Sequence, residues 1–252
     1  MKYQKIFYNI LSIVLLWFLW ESVAYFFREI PLICPSPLKV FKRVFSEYDL
    51  FGSHMFSTFL EMFFGMLLAM VVSFCAAYAM FKIHFLRMVL EPYCVIMQCI
   101  PMFILAPIFI IWFGWSFIAV IIPTSMMIAF PLTMNIYKGL SSAPKHYLDF
   151  FKLHGASSSQ LLFKVKLPFA KPHIFAGLRI SAAIAGVGAI AGEWAGAQRG
   201  LGVLIQICRR NFDLEGVFGC IFCLLFLSMS FYGAILLIEK LLQKNVVYQS
   251  SY

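Results

Sequence analysis

Residues 138–172 read KGLSSAPKHYLDFFKLHGASSSQLLFKVKLPFAKP, a polar and basic segment between strongly apolar ones. Connections longer than about 15 residues are uncommon in folded proteins, and those that occur usually carry a function. Because this segment also contains helical patterns of its own, its length and composition predict a docking surface.

The composition of the whole chain is that of a membrane protein. Of the 252 residues, 62% are hydrophobic and 12% are charged, which lies outside the range of soluble globular proteins. A net charge of +9 would suit a nucleic-acid-binding protein, but the basic residues are distributed between apolar segments and do not form one face. We therefore expect an integral membrane protein that does not bind nucleic acid.

The apolar segments have the length of membrane-spanning helices. A helix rises about 1.5 Å per residue, so about 20 residues cross a hydrocarbon core of about 30 Å. The sequence therefore predicts one all-α transmembrane domain over residues 1–252, with about six transmembrane helices. The predicted spans are residues 6–27, 54–81, 88–113, 115–137, 173–198 and 217–238, and residues 138–172 form a loop.

The basic residues give the orientation, because cytoplasmic loops of membrane proteins carry an excess of Lys and Arg. Twelve basic residues share the side of the two termini: Lys2, Lys5, Lys82, Arg87, the six lysines of residues 138–172, Lys240 and Lys244. The other side has seven: Arg28, Lys39, Lys42, Arg43, Arg199, Arg209 and Arg210. Both termini and the long loop are therefore predicted to be cytoplasmic.

Proline and small residues predict local features of the spans. Pro31, Pro35 and Pro37 break any helix before a short amphipathic segment over residues 38–45, and residues 113–116 are the natural break between the third and fourth spans. Small residues four apart allow close helix packing. They are Gly65, Ala69 and Ser73 in the second span, and Gly188, Gly192 and Gly196 in the fifth.

The long loop has the pattern of two short helices. Ser142 before Ala143 and Pro144 predicts a helix start, and Gly155 predicts its left-handed end. Ser157 and Gln160 have the spacing of a capping box for a second helix over residues 161–167, which Pro168 would end. The residues alone leave open whether this unit lies on lipid headgroups or docks to a protein.

The loop resembles one found in the membrane subunits of binding-protein-dependent ABC importers, where it carries the motif E-A-A-x3-G-x9-I-x-L-P. The matching residues are Asp149-Phe150-Phe151, Gly155 and Val165-Lys166-Leu167-Pro168. Asp replaces Glu and two Phe replace the alanines, so the tip is bulkier than the family pattern.

The resemblance covers residues 35–242. Within the family, this sequence resembles the nitrate, sulfonate and taurine branch. It rests on Pro35-Ser36-Pro37, Ile111-Trp112-Phe113-Gly114, Lys171-Pro172 through Gly177-Leu178-Arg179, and Arg199-Gly200-Leu201-Gly202. The stretch Gly192-Glu193-Trp194, followed by Gly196, resembles the corresponding sequence of importers of pyrimidine precursors of thiamine.

The resemblance implies a type I ABC importer fold in the bacterial inner membrane, with the first loop helix as a coupling helix. It assigns the ATPase coupling to Tyr147, Asp149, Phe150, Phe151, Gly155, Leu167 and Pro168. The implied partners are an ABC ATPase, a periplasmic or extracellular substrate-binding protein and a second permease copy. The chain has no G-x-x-x-x-G-K-[ST] motif, so ATP would be hydrolysed by the partner and no cofactor is expected here.

Three residues are candidates for the translocation path: Gln98, Glu193 and Trp194. Gln98 is a strong amide in an apolar segment, with hydrogen bonding between helices as its alternative role. An ionisable residue at membrane depth indicates function, but Glu193 has the alternative of a position at the membrane interface. Glu61 and Glu91 are expected to be interfacial.

Other functions find less support in the sequence. The five histidines show no metal-binding spacing, the seven cysteines are expected to be free thiols, and no catalytic cluster indicates an integral membrane enzyme. A secondary transporter would normally show internal repeats and more carboxylates within its spans. These two classes remain the alternatives to a transport subunit.

Overall fold

The computed structural model describes residues 2–27 and 34–243. Arg28, Pro31 and Lys244, which enter the predictions above, lie outside the described residues. The helices are α1 (Lys2–Phe26), α2 (Pro37–Ser46), α3 (Tyr48–Lys82), α4 (His84–Cys99), α5 (Met102–Phe113), α6 (Phe117–Ser141), α7 (Lys145–Leu153), α8 (Ser158–Leu161), α9 (Leu167–Gly196), α10 (Leu201–Arg210) and α11 (Leu214–Gln243), with a π-helical turn (Leu162–Lys166) between α8 and α9.

Helices α3, α6 and α9 form the centre of the bundle, and the predicted small residues bring them together. A β carbon at Gly65 would lie 2.6 Å from Thr124 Cγ2, and one at Gly188 would lie 3.0 Å from Thr124 Cα. The same addition at Gly192 would lie 3.0 Å from Val120 Cα. Any side chain here would push α6 away, which confirms the predicted close packing.

Four helical segments of the described residues are long and apolar enough to cross a membrane. They are Tyr48–Lys82, Phe117–Ser141, Ser158–Gly196 and Leu214–Leu242. The apolar part of α1, Val14–Phe26, is shorter, and α1 packs mainly on α2. Helices α4 and α5 together have the apolar length of a fifth span.

The segment predicted as a third span is bent. Helices α4 and α5 meet at an angle of 101°. Pro101 lacks an N–H group and disfavours a helical conformation at the residue before it, and Ile100 is extended with φ −86° and ψ 119°. The predicted break after α5 is confirmed, because α5 ends at Phe113 and Gly114 has φ +68°.

The second half of the long loop differs from its prediction. Pro168 does not end a helix, because the chain is helical from Ser158 to Gly196. In the π-helical turn the Leu167 N–H group bonds the Leu162 carbonyl, which shifts the hydrogen-bond register. Pro168 then falls in the first turn of α9, where a missing N–H group is tolerated.

Ser142 is likewise not the cap that begins α7. Its hydroxyl donates to the Gly139 carbonyl at 2.7 Å, so Ser142 belongs to the end of α6. The residue before α7 is Pro144, which has no side-chain capping bond.

Candidate functional site

Helix α7 presents apolar side chains to solvent at the tip of the loop between α6 and α9. None of its residues is buried. Phe150 is 56% exposed and Leu153 is 87% exposed, while Tyr147 is exposed and Phe151 is half-buried. Leu153 was not among the predicted coupling residues, although its spacing of three from Phe150 places both on one helix face.

Gly155 ends α7 as predicted. The Ala156 N–H group donates to the Phe151 carbonyl at 3.0 Å, and the Gly155 N–H group donates to the Lys152 carbonyl at 2.9 Å. These two bonds define a Schellman motif, which needs a left-handed residue, and Gly155 has φ +74°.

The predicted capping box at the start of α8 is confirmed. The Gln160 N–H group donates to Ser157 Oγ at 3.2 Å, and the Ser157 N–H group donates to Gln160 Oε1 at 2.8 Å. The local sequence therefore specifies both sides of the turn between α7 and α8.

The remaining predicted coupling residues lie in two places. Asp149 is exposed on α7, with an oxygen 3.9 Å from the Lys152 amine. Leu167 and Pro168 are half-buried in the first turn of α9.

Two contacts attach the loop to the spans. The Tyr147 ring lies 5.3 Å from the Phe169 ring between centroids. The Lys166 amine lies 4.0 Å from the centre of the Phe81 ring at the end of α3, and Val165 is buried beside it. The loop thus touches both α9 and α3, directly or through the π-helical turn.

Gln98 lines a cavity of about 350 Å³ beside the bend between α4 and α5. The lining residues are Met97, Gln98, Ile100, Pro101, Met102, Met127, Phe130, Pro131, Ile180 and Ile184. The Gln98 amide donates to the Cys94 carbonyl at 2.9 Å, a bond within its own helix. The lining carries no charged side chain.

Glu193 and Glu61 are both buried at the opposite end of α9 from the loop. Glu61 is 3% exposed and Glu193 is 2% exposed, so both carboxyl groups are enclosed by protein. Glu91 is half-exposed and bonds Arg87 at 3.2 Å.

Glu193 receives several hydrogen bonds at the beginning of α10. Thr58 Oγ1 donates to Glu193 Oε1 at 2.6 Å, and the Gly202 N–H group donates to Glu193 Oε2. The Val203 N–H group is also within hydrogen-bond range. Thr58 Oγ1 in turn accepts from the Leu201 N–H group at 2.8 Å.

Glycines make this approach of the carboxyl group possible. Gly200 has φ +134°, and a β carbon there would collide with the Glu193 carboxyl group. A β carbon at Gly202 would lie 2.8 Å from Glu193 Oε2. His54 Nδ1 lies 2.8 Å from the Gly200 carbonyl oxygen, which adds a contact from α3.

Trp194 follows Glu193 and bonds the same segment. Its indole N–H group donates to the Gly202 carbonyl at 3.1 Å, and the Gln206 amide donates to the Trp194 carbonyl at 3.2 Å. Glu193 and Trp194 line one cavity of about 300 Å³ together with Trp115, Ala195, Gly196, Ala197, Val203, Gln206, Ile207 and Arg210. The structure therefore brings Glu193 and Trp194 together, while Gln98 lines the other cavity.

Helix α10 lies between the fifth and sixth predicted spans, in a segment for which no helix was predicted. Its buried residues Leu201, Leu204 and Cys208 have spacings of three and four, a pattern that predicts such a helix. Burial raises the pKa of the Cys208 thiol, and the nearby Asp213 carboxylate adds to the effect. This thiol is therefore a weak nucleophile at neutral pH.

The described residues contain no group of three or more His, Cys, Asp or Glu side chains placed to hold a metal ion.

Comparison with known proteins gives the family. Residues 62–244 match the family described as "Binding-protein-dependent transport system inner membrane component". The chain belongs to this family, which confirms the resemblance found in the sequence. It is a permease subunit of an ABC importer and a multi-pass integral membrane protein.

Two relatives match over nearly their whole length. The chain is 34% identical over 233 residues to the formylaminopyrimidine transport permease protein ThiX of Halalkalibacterium halodurans, covering 92% of this chain and 93% of that protein. It is 33% identical over 226 residues to a probable ABC transporter permease protein of Haemophilus influenzae, covering 90% of this chain and 92% of that protein.

A solved structure has the same fold. An amino acid ABC transporter with histidines superposes with a TM-score of 0.65 and 16% identity, covering 79% of this chain and 97% of that one. The predicted all-α, type I importer fold is confirmed.

Proposed function

We propose that α7 is the coupling helix through which a partner ABC ATPase drives this permease. The observation that carries the proposal is the exposed apolar tip of α7, which contains Tyr147, Phe150 and Leu153. An apolar helix face of this kind fits a groove on a partner. Phe151, Asp149 and Gly155 complete the coupling surface, and Leu167 and Pro168 connect it to α9.

Transmission of a movement from α7 to the bundle is supported by the contacts of the loop. Helix α9 packs along most of its length in the core, and Lys166 and Tyr147 join the loop to α3 and α9. A displacement of α7 would therefore move helices and not only a flexible connection.

The complete importer in this proposal contains two copies of this single-domain permease, two ATPase subunits and an external substrate-binding protein. A symmetric dimer would place the path between the two copies. ATP is bound and hydrolysed by the partner, and the chain itself carries no cofactor. We further propose a location in the bacterial inner membrane, with both termini and α7 in the cytoplasm, as the distribution of basic residues supports.

The proposed substrate is a small ring compound such as a pyrimidine precursor of thiamine. The name of the relative ThiX and the sequence around Glu193 and Trp194 support it. The cavity beside Gln98 has an uncharged lining of Met, Ile, Pro and Phe with one amide. Such a lining suits a neutral ring better than a sulfonate anion, which would lack a counter-charge there.

The coupling proposal is tested with Phe150→Asp in the reconstituted complex. Because Phe150 is exposed, the permease should still fold, but a charged tip should not enter an apolar groove. We expect loss of the ATP hydrolysis that substrate-loaded binding protein stimulates. Phe45→Asp, at an exposed phenylalanine of α2, is the matched control and should leave stimulation unchanged. Normal stimulation with Phe150→Asp would contradict the proposal.

The substrate is tested by calorimetric titration of the cognate binding protein with formylaminopyrimidine and with taurine. Binding of the pyrimidine alone supports the proposal, and binding of taurine alone contradicts it.

A further inference from the structure

The buried Glu61 carboxyl group has no role in the function proposed above. It lies within hydrogen-bond range of the Glu193 carboxyl group. Its second oxygen, Oε2, has no hydrogen-bond partner among the described residues. Two buried acidic side chains, contributed by α3 and α9, therefore lie next to each other.

Hydrogen bonding between two carboxyl groups requires a proton on one of them, since an ionised carboxylate only accepts. Two ionised carboxylates within hydrogen-bond range of each other in an apolar environment would repel each other strongly. The donors around the pair are distributed unequally. Glu193 accepts from Thr58 and Gly202, whereas Glu61 has an oxygen without a donor. The negative charge therefore resides mainly on Glu193, and the proton mainly on Glu61.

Other titratable or charged groups near the pair lie on three elements. His54 on α3 contacts Gly200, and Arg210 on α10 lines the same cavity as Glu193. Cys220 on α11 lies close enough to interact electrostatically with Glu193. The α6 residues that pack on α9 here, Val120 and Thr124, carry no charge. None of these groups is hydrogen bonded to Glu61 among the described residues.

The charge on Glu193 lies at the beginning of α10, where the first N–H groups have no partner within the helix. An anion at a helix N-terminus is stabilised by these groups and by the helix dipole. Here the capping carboxylate comes from a neighbouring helix and not from the residue before α10. The cap therefore fixes α10 to α9 and, through Thr58, to α3.

We infer that Glu61 and Glu193 are positioning residues that share one proton and hold the beginning of α10 on the transmembrane bundle. The pair thereby sets the position of Trp194 and the cavity between Trp115 and Arg210. This inference does not depend on coupling through α7 and can be tested on the purified permease in lipid nanodiscs without its partners.

The shared proton is tested by infrared spectroscopy at neutral pH with ¹³C-labelled glutamate. Wild type should show a label-sensitive carbonyl band of a protonated carboxyl group. Glu61→Gln should lose it, because the amide donates to Glu193 in place of the proton. Glu91→Gln, at a half-exposed glutamate, should retain it. Absence of the band in wild type, or its persistence in Glu61→Gln, would overturn the shared proton.

The positioning role is tested by ¹⁹F NMR of 5-fluorotryptophan, in which Trp194 reports on the beginning of α10 and Trp112 on α5 serves as an internal reference. Glu193→Ala should shift the Trp194 resonance and leave Trp112 unchanged. Glu61→Gln should keep the Trp194 resonance at its wild-type position. An unshifted Trp194 resonance in Glu193→Ala, or an equal shift in both variants, would overturn the role.

Discussion

The segment around α7 and the segment around α10 both connect long helices, but they are held in different ways. At α7 the bonds are local, since Gly155 and Ala156 bond the end of their own helix and Ser157 bonds Gln160. At α10 the bonds come from distant parts of the chain. Thr58 bonds Leu201 across 143 residues and Glu193 across 135.

This difference separates a unit that can move as a whole from one that is fixed by the bundle. The turn after α7 keeps its internal hydrogen bonds when α7 is displaced relative to the bundle. This property suits a helix that moves together with a partner protein. The beginning of α10 keeps its bonds only while α3 and α9 stay in place. A movement of α3 relative to α9 would therefore break hydrogen bonds at the beginning of α10.

The largest difference in the free energy of unfolding is expected between Gly155→Ala and Gly200→Ala, substitutions at two glycines with positive φ. Gly155→Ala meets nothing within 4 Å, so it adds only the backbone penalty of about 1 kcal/mol. Gly200→Ala adds a similar penalty and a collision with the Glu193 carboxyl group, for a total loss of about 3 kcal/mol. The free energy of unfolding from SDS titration, followed by circular dichroism, measures both.

Gly233→Ala is the control for this pair, because Gly233 lies inside α11 with nothing within 4 Å of an added β carbon. It should be neutral or stabilising by up to about 1 kcal/mol. Equal losses for Gly155→Ala and Gly200→Ala would show that the distant bonds at α10 contribute little.

The same contrast explains what could be predicted from the sequence. Gly155, Ser157 and Gln160 act on residues within a few positions, so their spacing was sufficient to predict the turn. The burial of Glu61 depends on Glu193 and Thr58, which come together only in the folded bundle. No spacing within α3 indicates that partner, because Glu61 is the only acidic residue between residues 54 and 81.

Two errors had local causes that tertiary structure overrode. Pro168 is a helix breaker by its chemistry, but the π-helical turn before it removed the need for its N–H group. The bend at Pro101 is the reverse case, because the local chemistry of proline divides residues 88–113, which were predicted as one span, into α4 and α5. The spacing of Leu201, Leu204 and Cys208 favours α10, but no helix was predicted there.

A smaller difference is expected when one hydroxyl is removed from each segment. Thr58→Val leaves the Leu201 N–H group and one Glu193 oxygen without their partner in a buried site, which should lower the free energy of unfolding by about 2 kcal/mol. Ser157→Ala removes an exposed capping bond and should lower it by about 1 kcal/mol.

Hydrogen–deuterium exchange distinguishes these two changes by location. Thr58→Val should speed the exchange of Leu201 and of the amides that follow it in α10. Ser157→Ala should affect only α8 and the turn before it. Faster exchange in both segments for either variant would contradict the separation between local and distant bonds.

The smallest difference in the free energy of unfolding is expected when one basic side chain is removed from each part of the molecule. Arg43 on α2 bonds Glu47, four residues further on, and Asp213 after α10 at 3.1 Å, whereas Lys152 and Asp149 on α7 are 3.9 Å apart and largely exposed. Arg43→Ala should lower the free energy of unfolding by at most about 1 kcal/mol, and Lys152→Ala should leave it unchanged. Added salt should reduce the Arg43→Ala effect because exposed charges are screened. A loss for Lys152→Ala that equals the Arg43→Ala loss would mean that the exposed pair within α7 stabilises the fold as much as the distant pair does.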